Sequence, residues 1–454
     1  MSVSVIDLGD VSDPSARLDE YPPARRHEFD RATLRRLTTA VIAGVCALLL
    51  GGSALPGPPV LREVWSVPFS DNDSMSAQGG LLFVNRAVTG GSELTAYDMA
   101  TGALRWTRAS DESPVWIDAA TQPGVILLPS DEQVTALTLE DGSVVSYAYG
   151  GTLTAIDPAT GNRLWERPGM QVYGDDGDKV LLHESGGDGQ ITAFRLVGAR
   201  DGSIVWEQRA PAGVDRVEVQ SENGVAAHIV TATPTGEITV LRYSDGTTVA
   251  SAQVPWSPTS SSDGTGSMIA TAPGLVMVLH ITRDTNTVTA YRATTLEELW
   301  TREFTDSAHV QDCGPVLCVG GGNFFTAVDP ATGEARWSGD GNAAFGLLLP
   351  NDRLLVSGND DAPQQTIVDV ATGRPVGGAG RGRLLYRDDR TGALFLLRGL
   401  FPDLNRMAVS RLDPVTGRAV TLGALPIRDD RFCTGEGRYL ACQVETTLTV
   451  TAVG

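Results

Sequence analysis

Lysine is nearly missing from this chain: of 35 basic residues only Lys179 is a lysine. Lys and Arg differ mainly at bidentate or stacked sites, so the ratio reads as a GC-rich, bacterial coding bias and not as a recognition device. Positive charge is scarce altogether. Against those 35 residues stand 55 acidic ones, a formal net charge of -20, which excludes a nucleic-acid binder that works by neutralising phosphates. Histidine and cysteine number five each, and no H-E-x-x-H, G-x-S-x-G, phosphate-loop, C-x-x-C or C-x-x-C-H motif occurs. Zinc, hydrolase, nucleotide and haem chemistries therefore have no motif to rest on. What is plentiful is Gly (51) and Pro (25), as a turn-rich all-β chain requires.

Long apolar runs are equally rare, with one exception. Leu37 to Val60 holds no charged side chain, and about 20 residues at a helical rise cross a bilayer core. Residues 37–57 read as a transmembrane helix. Arg25, Arg26, Arg31, Arg35 and Arg36 precede it and Arg62 alone follows closely, so the positive-inside rule puts a disordered tail, 1–36, in the cytoplasm and 58–454 outside. A cleaved signal peptide ending near Gly52-Ser53-Ala54, and a twin-arginine signal at Arg35-Arg36, are competing readings. A lipoprotein is disfavoured because Cys46 sits in mid-segment. Every version exports 62–454. In the tail, Val5 to Val11 offers a docking peptide, with a plain disordered start as the blander reading.

Cys313, Cys318, Cys433 and Cys442 remain in the exported part, an even count. Cys313-Gly-Pro-Val-Leu-Cys318 and Cys433-Thr-Gly-Glu-Gly-Arg-Tyr-Leu-Ala-Cys442 each place a turn between two cysteines. Each suits a bridge across a hairpin in an oxidising compartment. Metal binding is the rival, but no His neighbours either pair.

The exported part repeats. Leu94-Thr-Ala-Tyr-Asp-Met-Ala-Thr-Gly-Ala-Leu-Arg-Trp106, Leu153-Thr-Ala-Ile-Asp-Pro-Ala-Thr-Gly-Asn-Arg-Leu-Trp165 and Phe325-Thr-Ala-Val-Asp-Pro-Ala-Thr-Gly-Glu-Ala-Arg-Trp337 match closely. Looser copies end at or near Trp206, Val249, Trp300, Val376 and Val420. Period-2 alternation before each Asp is a strand. Asp98, Asp157 and Asp329 accept backbone N–H groups of a turn. Gly102, Gly161 and Gly333 supply positive φ four residues later. The tryptophan falls on the next strand. Apolar runs such as Leu81 to Val84 and Leu275 to Val278 precede the units. Four short strands per repeat of about 45 residues mark a propeller blade.

The pattern A-x-D-x-x-T-G-x-x-x-W resembles the tryptophan-docking repeat of the pyrroloquinoline-quinone-like β-propellers. The resemblance implies a ring of about eight four-stranded blades over 58–454, with Trp106, Trp165, Trp206, Trp300 and Trp337 packed between neighbours. The last strands, Arg431 to Val453, lack a fourth, and Glu63 to Phe69 has the character to supply it. Counted literally this gives nine, which suggests a weak register within 113–168. Quinoprotein members stack their cofactor on an adjacent-cysteine disulfide. This chain has none, so no cofactor and no catalytic residue is expected. A propeller lipoprotein of the outer-membrane protein assembly machinery carries a similar repeat.

Other candidates are modest. His183, His228, His280 and His309 lie singly and read as structural. Asp175-Asp176-Gly-Asp178 and Asn359-Asp360-Asp361 could gather oxygens for Ca²⁺, but as loop tips of an acidic protein they read as solvated. The sequence thus points to a membrane-anchored extracytoplasmic scaffold. Its expected partners are the cytoplasmic membrane and a protein or other envelope ligand. An enzyme with a loop-built site on the propeller face, including a quinone-dependent dehydrogenase, is the alternative.

Overall fold

The computed structural model describes residues 61–453, apart from loops that include 111–123, 139–143, 173–177, 258–264, 305–308, 340–342, 359–362, 401–404 and 428–431. The chain divides into 1–57 and 58–454, and the second unit holds all of the described strands. The expected transmembrane segment 37–57, the tail and Cys46 lie outside the described residues. Among the described residues no helix is long and apolar enough to cross a membrane.

The architecture is all-β, in nine antiparallel sheets. In chain order the blades span Ser74–Ser110, Ile126–Pro168, Met170–Arg209, Arg216–Gln253, Gly266–Phe304, His309–Ser338, Ala343–Asp369 and Arg383–Leu425. The ninth is Cys433–Ala452 completed by Arg62–Pro68. Among the described residues blades 2 and 7 show three regular strands each and the others four. First strands of successive blades touch around much of the ring, which places them nearest the axis, and each fourth strand lies outermost.

The expected count of eight is corrected to nine. The eight comes from the resemblance; the ninth sheet, formed by the last strands and the segment around Glu63 to Phe69, is a full blade. Its third and fourth strands are not joined in sequence, because the fourth is Arg62–Pro68. Arg62 pairs with Ala452 and Pro68 with Thr447, so the first strand of the chain closes the last sheet. Closure of this kind leaves no open sheet between the ends.

Nothing is miscounted within 113–168; a different feature fills it. The first two described strands of blade 2, Ile126–Thr138 and Val144–Ile156, stay paired from Ile126↔Ile156 out to Thr138↔Val144. Beyond Asp131 (φ 56°) and Gly150 and Gly151 (φ 68° and 87°) they leave the blade as a two-stranded ribbon. Val134 and Val144 on it are 71% and 65% exposed.

Side-chain periodicity explains the ring. Each second strand is buried on both faces, which is why it reads as a continuous apolar run. In blade 1, Phe83 faces the cluster shared with blade 2, while Leu82 and Val84 face the one shared with blade 9. There are nine such clusters, one in each interface between neighbouring blades. The core is a set of radial seams.

Trp65 on the closing strand lies in the seam between blades 9 and 1 and donates its indole N–H to Met99 O at 3.0 Å. Trp65→Ala should therefore loosen the joint between the chain ends and cost about 3 kcal/mol. Urea unfolding of the full chain checks this; a midpoint equal to that of the wild type would show that the ends are held some other way.

Candidate functional site: docking turns, clamped hairpins and an inner cavity

The repeated motif builds one device six times. An indole on a fourth strand lies on the turn of the next blade and donates to the carbonyl that follows the turn's first residue. Trp106 reaches Pro158 O (2.8 Å), Trp165 Ala199 O (2.7 Å), Trp206 Tyr243 O (2.9 Å), Trp300 Pro330 O (2.8 Å) and Trp337 Val370 O (2.7 Å), beside Trp65 above. The turn glycine is required twice over. Gly161 and Gly333 have φ of +70° and +67°, and a Cβ on either would stand 2.6 Å from the facing indole. Gly102 and Gly202 face Trp65 and Trp165 in the same way.

The aspartates hold the turns from within. Asp98 accepts Thr101 N–H at 3.0 Å and Arg105 at 2.5 Å; Asp157 accepts Ala159 N–H and Thr160 N–H, both at 2.9 Å; Asp329 accepts Ala331 N–H at 2.8 Å and pairs with Arg336. Hydrogen bonds to the ionised form lower a carboxyl pKa. Arg105 holds Asp98 below the usual carboxylate range, and Arg336 does so for Asp329. Backbone N–H groups do the same for Asp413, from Thr416 first, and for Asp201, from Ser203 first.

One component escaped sequence reading. Two residues after the tryptophan, a long donor side chain reaches the carbonyl of the same turn: Arg108 and Arg167 to Gly161 O and Gly202 O, Gln208 to Gly246 O, Arg302 to Thr332 O. The signal W-x-[R/Q] was present in four copies.

Both cysteine pairs are bridged, Cys313 to Cys318 and Cys433 to Cys442. The second joins directly opposed residues of neighbouring strands. Each clamps the first two strands of its blade, in blades 6 and 9, and both are buried or half-buried. Disulfides of this kind persist in an oxidising, extracytoplasmic compartment.

The four histidines are not brought together. His183 sits against Ser185 Oγ (3.0 Å), His228 against Gln220 Oε1 (2.5 Å) and His280 against Ser267 Oγ (2.7 Å). Burial holds all three below the ordinary imidazole pKa. Asp175, Asp176 and 359–361 lie outside the described residues.

A cavity of about 370 Å³ opens between blades 3, 4 and 5 near the axis. Met170, Ile191, Val217, Met268 and Ile269 make its apolar wall, and His183, Asp215, Arg216 and Glu218 its polar part. Arg216 stands 3.9 Å from Asp215 and 6.0 Å above the Trp256 ring. Desolvation by these walls pushes the Asp215 pKa up, and that of Glu218 in the same direction although its side chain also reaches solvent. Neither residue was singled out in the sequence, because a first strand has no distinctive motif.

A closed ring of four-stranded blades with docked indoles defines a tryptophan-docking β-propeller. A family model described as outer membrane protein assembly factor BamB matches residues 62–145, 139–280 and 256–451, and the chain belongs to that family. No curated protein matches significantly. Among solved structures, BamB from Moraxella catarrhalis aligns at 12% identity over 87% of this chain and 100% of that one, with a TM-score of 0.36. The computationally designed Ika8 protein aligns at 13% over 86% and 100%, with a TM-score of 0.42.

Blade 4 lacks the tryptophan, and the fifth turn shows what replaces it. Ala250 pairs with Val240 as Trp300 pairs with Ala290. Leu296, at φ 53°, stands where the other turns have glycine and is buried in the same cluster as Ala250. Large and small residues have exchanged sides. Ala250→Trp alone should overpack the seam by about 1–3 kcal/mol and Leu296→Gly alone should leave it underfilled. The double variant should recover at least about 1 kcal/mol of the summed loss, read by denaturant unfolding. Strict additivity would contradict the exchange.

The depressed aspartates also set an acid limit. A carboxyl whose pKa is lower in the folded state stabilises above its unfolded value and loses that contribution as pH falls through its folded one. The raised Asp215 and Glu218 act in the opposite sense. Melting temperature should decline as pH falls below about 4, and less steeply in Asp329→Ala than in the wild type. An identical slope would remove Asp329 from this role.

Proposed function

We propose that the chain is a single-pass membrane-anchored, extracytoplasmic propeller acting as a non-catalytic binding or scaffold module of the bacterial envelope. The observation that carries this reading is the family match, which runs through the whole propeller to an assembly factor. The uncharged run at 37–57, the arginines before it and the two disulfides support the topology. The acidic excess keeps the exported domain soluble and favours cationic partners.

The blade-2 ribbon is the element best suited to hold a protein partner. Among the described residues, 132–138 and 144–150 pair only with each other. Such a ribbon can take an added strand along an edge, and the exposed Val134 and Val144 share one face. The propeller supplies a rigid base.

Two measurements test the proposal. A reporter active only in the cytoplasm should work when fused before Arg35 and fail after Gly454; activity at the second position would overturn the orientation. A photo-crosslinker at position 134 should give a defined adduct with another envelope protein in intact cells, while one at the exposed Leu104 should not. Equal adducts at both positions, or none, would remove the ribbon from the interaction.

A further inference from the structure

The outermost strands do not meet solvent in the same way all round the ring. Where each one starts, just after its docking turn, Leu104 on blade 1, Leu164 on blade 2, Ile204 and Val205 on blade 3 and Val420 on blade 8 are 38–61% exposed. The turn of blade 8 adds the exposed Val415, where the turns of blades 1, 2, 6 and 7 have alanine. On blades 4, 5 and 7 the corresponding Val249, Leu299 and Val376 are packed against the seam clusters instead. Charge divides along the same line, the turn aspartates being common to both sides. The strand starts of blades 8, 9, 1 and 2 carry Arg418, Arg62, Arg105 and Arg163 against Glu63, whereas those of blades 5 and 6 carry Glu297, Glu298 and Glu334 against Arg336.

The apolar arc thus runs through blades 8, 9, 1, 2 and 3, and blade 9 is where the chain enters the ring. Arg62 pairs with Ala452 as Leu104 does with Tyr97 and Ile204 with Val197, so the chain comes in at the turn-bearing ends of the strands. Residues 58–61 alone separate Arg62 from the apolar run 37–57, less than about 20 Å of extended chain. We propose that this arc rests on the bilayer surface, its exposed aliphatic side chains in the headgroup region and its arginines on lipid phosphates. The inference rests on the membrane-anchored reading. Interfacial binding grows with the apolar area inserted, and arginine holds phosphate while its stem covers apolar surface. A tether that confines the domain to the surface lets a contact serve that would be too weak for a free protein. The blade-2 ribbon leaves at the other end of its strands, beyond Asp131 and Gly150, and stays clear of this surface.

The full-length chain in vesicles of phosphatidylethanolamine and phosphatidylglycerol tests it, with a nitrobenzoxadiazole fluorophore placed at position 104, 420 or 298 through an unnatural amino acid. Lipids spin-labelled near the glycerol quench a fluorophore that enters the interface. Quenching at 104 and 420 should exceed that at 298, on the acidic side of the ring, by about threefold or more. Leu164→Ser combined with Ile204→Ser should lower the quenching at 104 and leave Tm unchanged, because both side chains are exposed. Retention on the vesicles through an alkaline carbonate wash reports the anchor by itself. A retained chain with equal quenching at 104 and 298, or with none, would overturn the arc contact and leave the anchor standing. A chain that washes off would overturn the anchored reading and the proposal with it. Blue-shifted emission at 104 without quenching would assign the arc to a protein contact and overturn the proposal as well.

Discussion

Six of the nine seams of this ring depend on an indole N–H finding a carbonyl on the neighbouring blade. A propeller has no central core; its apolar side chains are divided among nine seams, and each seam must fix the angle between two sheets. Apolar contact alone is non-directional. A large flat side chain with one donor, lying on a glycine that leaves room for it, adds the missing direction. The Asp that shapes the turn and the Arg or Gln that grips its carbonyl hold the receiving surface still. Sheet angle is thereby set by a local motif, which lets the repeat be copied around the ring.

The three seams without a docked indole among the described residues show that the constraint is geometric. Between blades 4 and 5 the turn supplies Leu296 where the others have glycine, the strand offers Ala250, and Trp256 packs against the same cluster. Between blades 7 and 8, Gly377 lies four residues after Gly373, where Trp106 lies four after Gly102. A Cβ at Gly377 would collide with the carbonyl of Thr416, so here backbone meets backbone. Between blades 8 and 9 no turn is there to receive an indole, because the third and fourth strands of blade 9 come from opposite ends of the propeller sequence, and Leu61 packs against Gly423 instead. Each exception keeps the seam filled.

How much of this was legible follows from where the signals reside. Asp157-Pro-Ala-Thr-Gly161 and its copies gave the turns, and Leu81 to Val84 gave strands buried on both faces. Cys433 and Cys442 were readable as a hairpin clamp because the turn between them is short. Blade number was misread because the eight blades implied by the resemblance were preferred to the nine that the strands themselves give. The inner cavity was hidden for a different reason. Met170, Glu218 and Met268 come from first strands of three blades, Asp215 stands just before one of them, and only closure of the ring brings them together. Partner binding leaves no compact motif either. The ribbon of 132–138 and 144–150 shows up as a long interval between repeats, with nothing in its residues to announce that it projects.

The central claim concerns six indole N–H groups, and amide-type hydrogen exchange reads them individually. In the full chain labelled with ¹⁵N-tryptophan, the indole N–H signals of Trp65, Trp106, Trp165, Trp206, Trp300 and Trp337 should exchange far more slowly than free indole, because opening any of them requires parting two blades. Each should be assignable by its Phe replacement. Rapid exchange at most of these six positions in the folded protein would mean that the blades are held by apolar contact alone, and would contradict indole docking as the constraint on the ring.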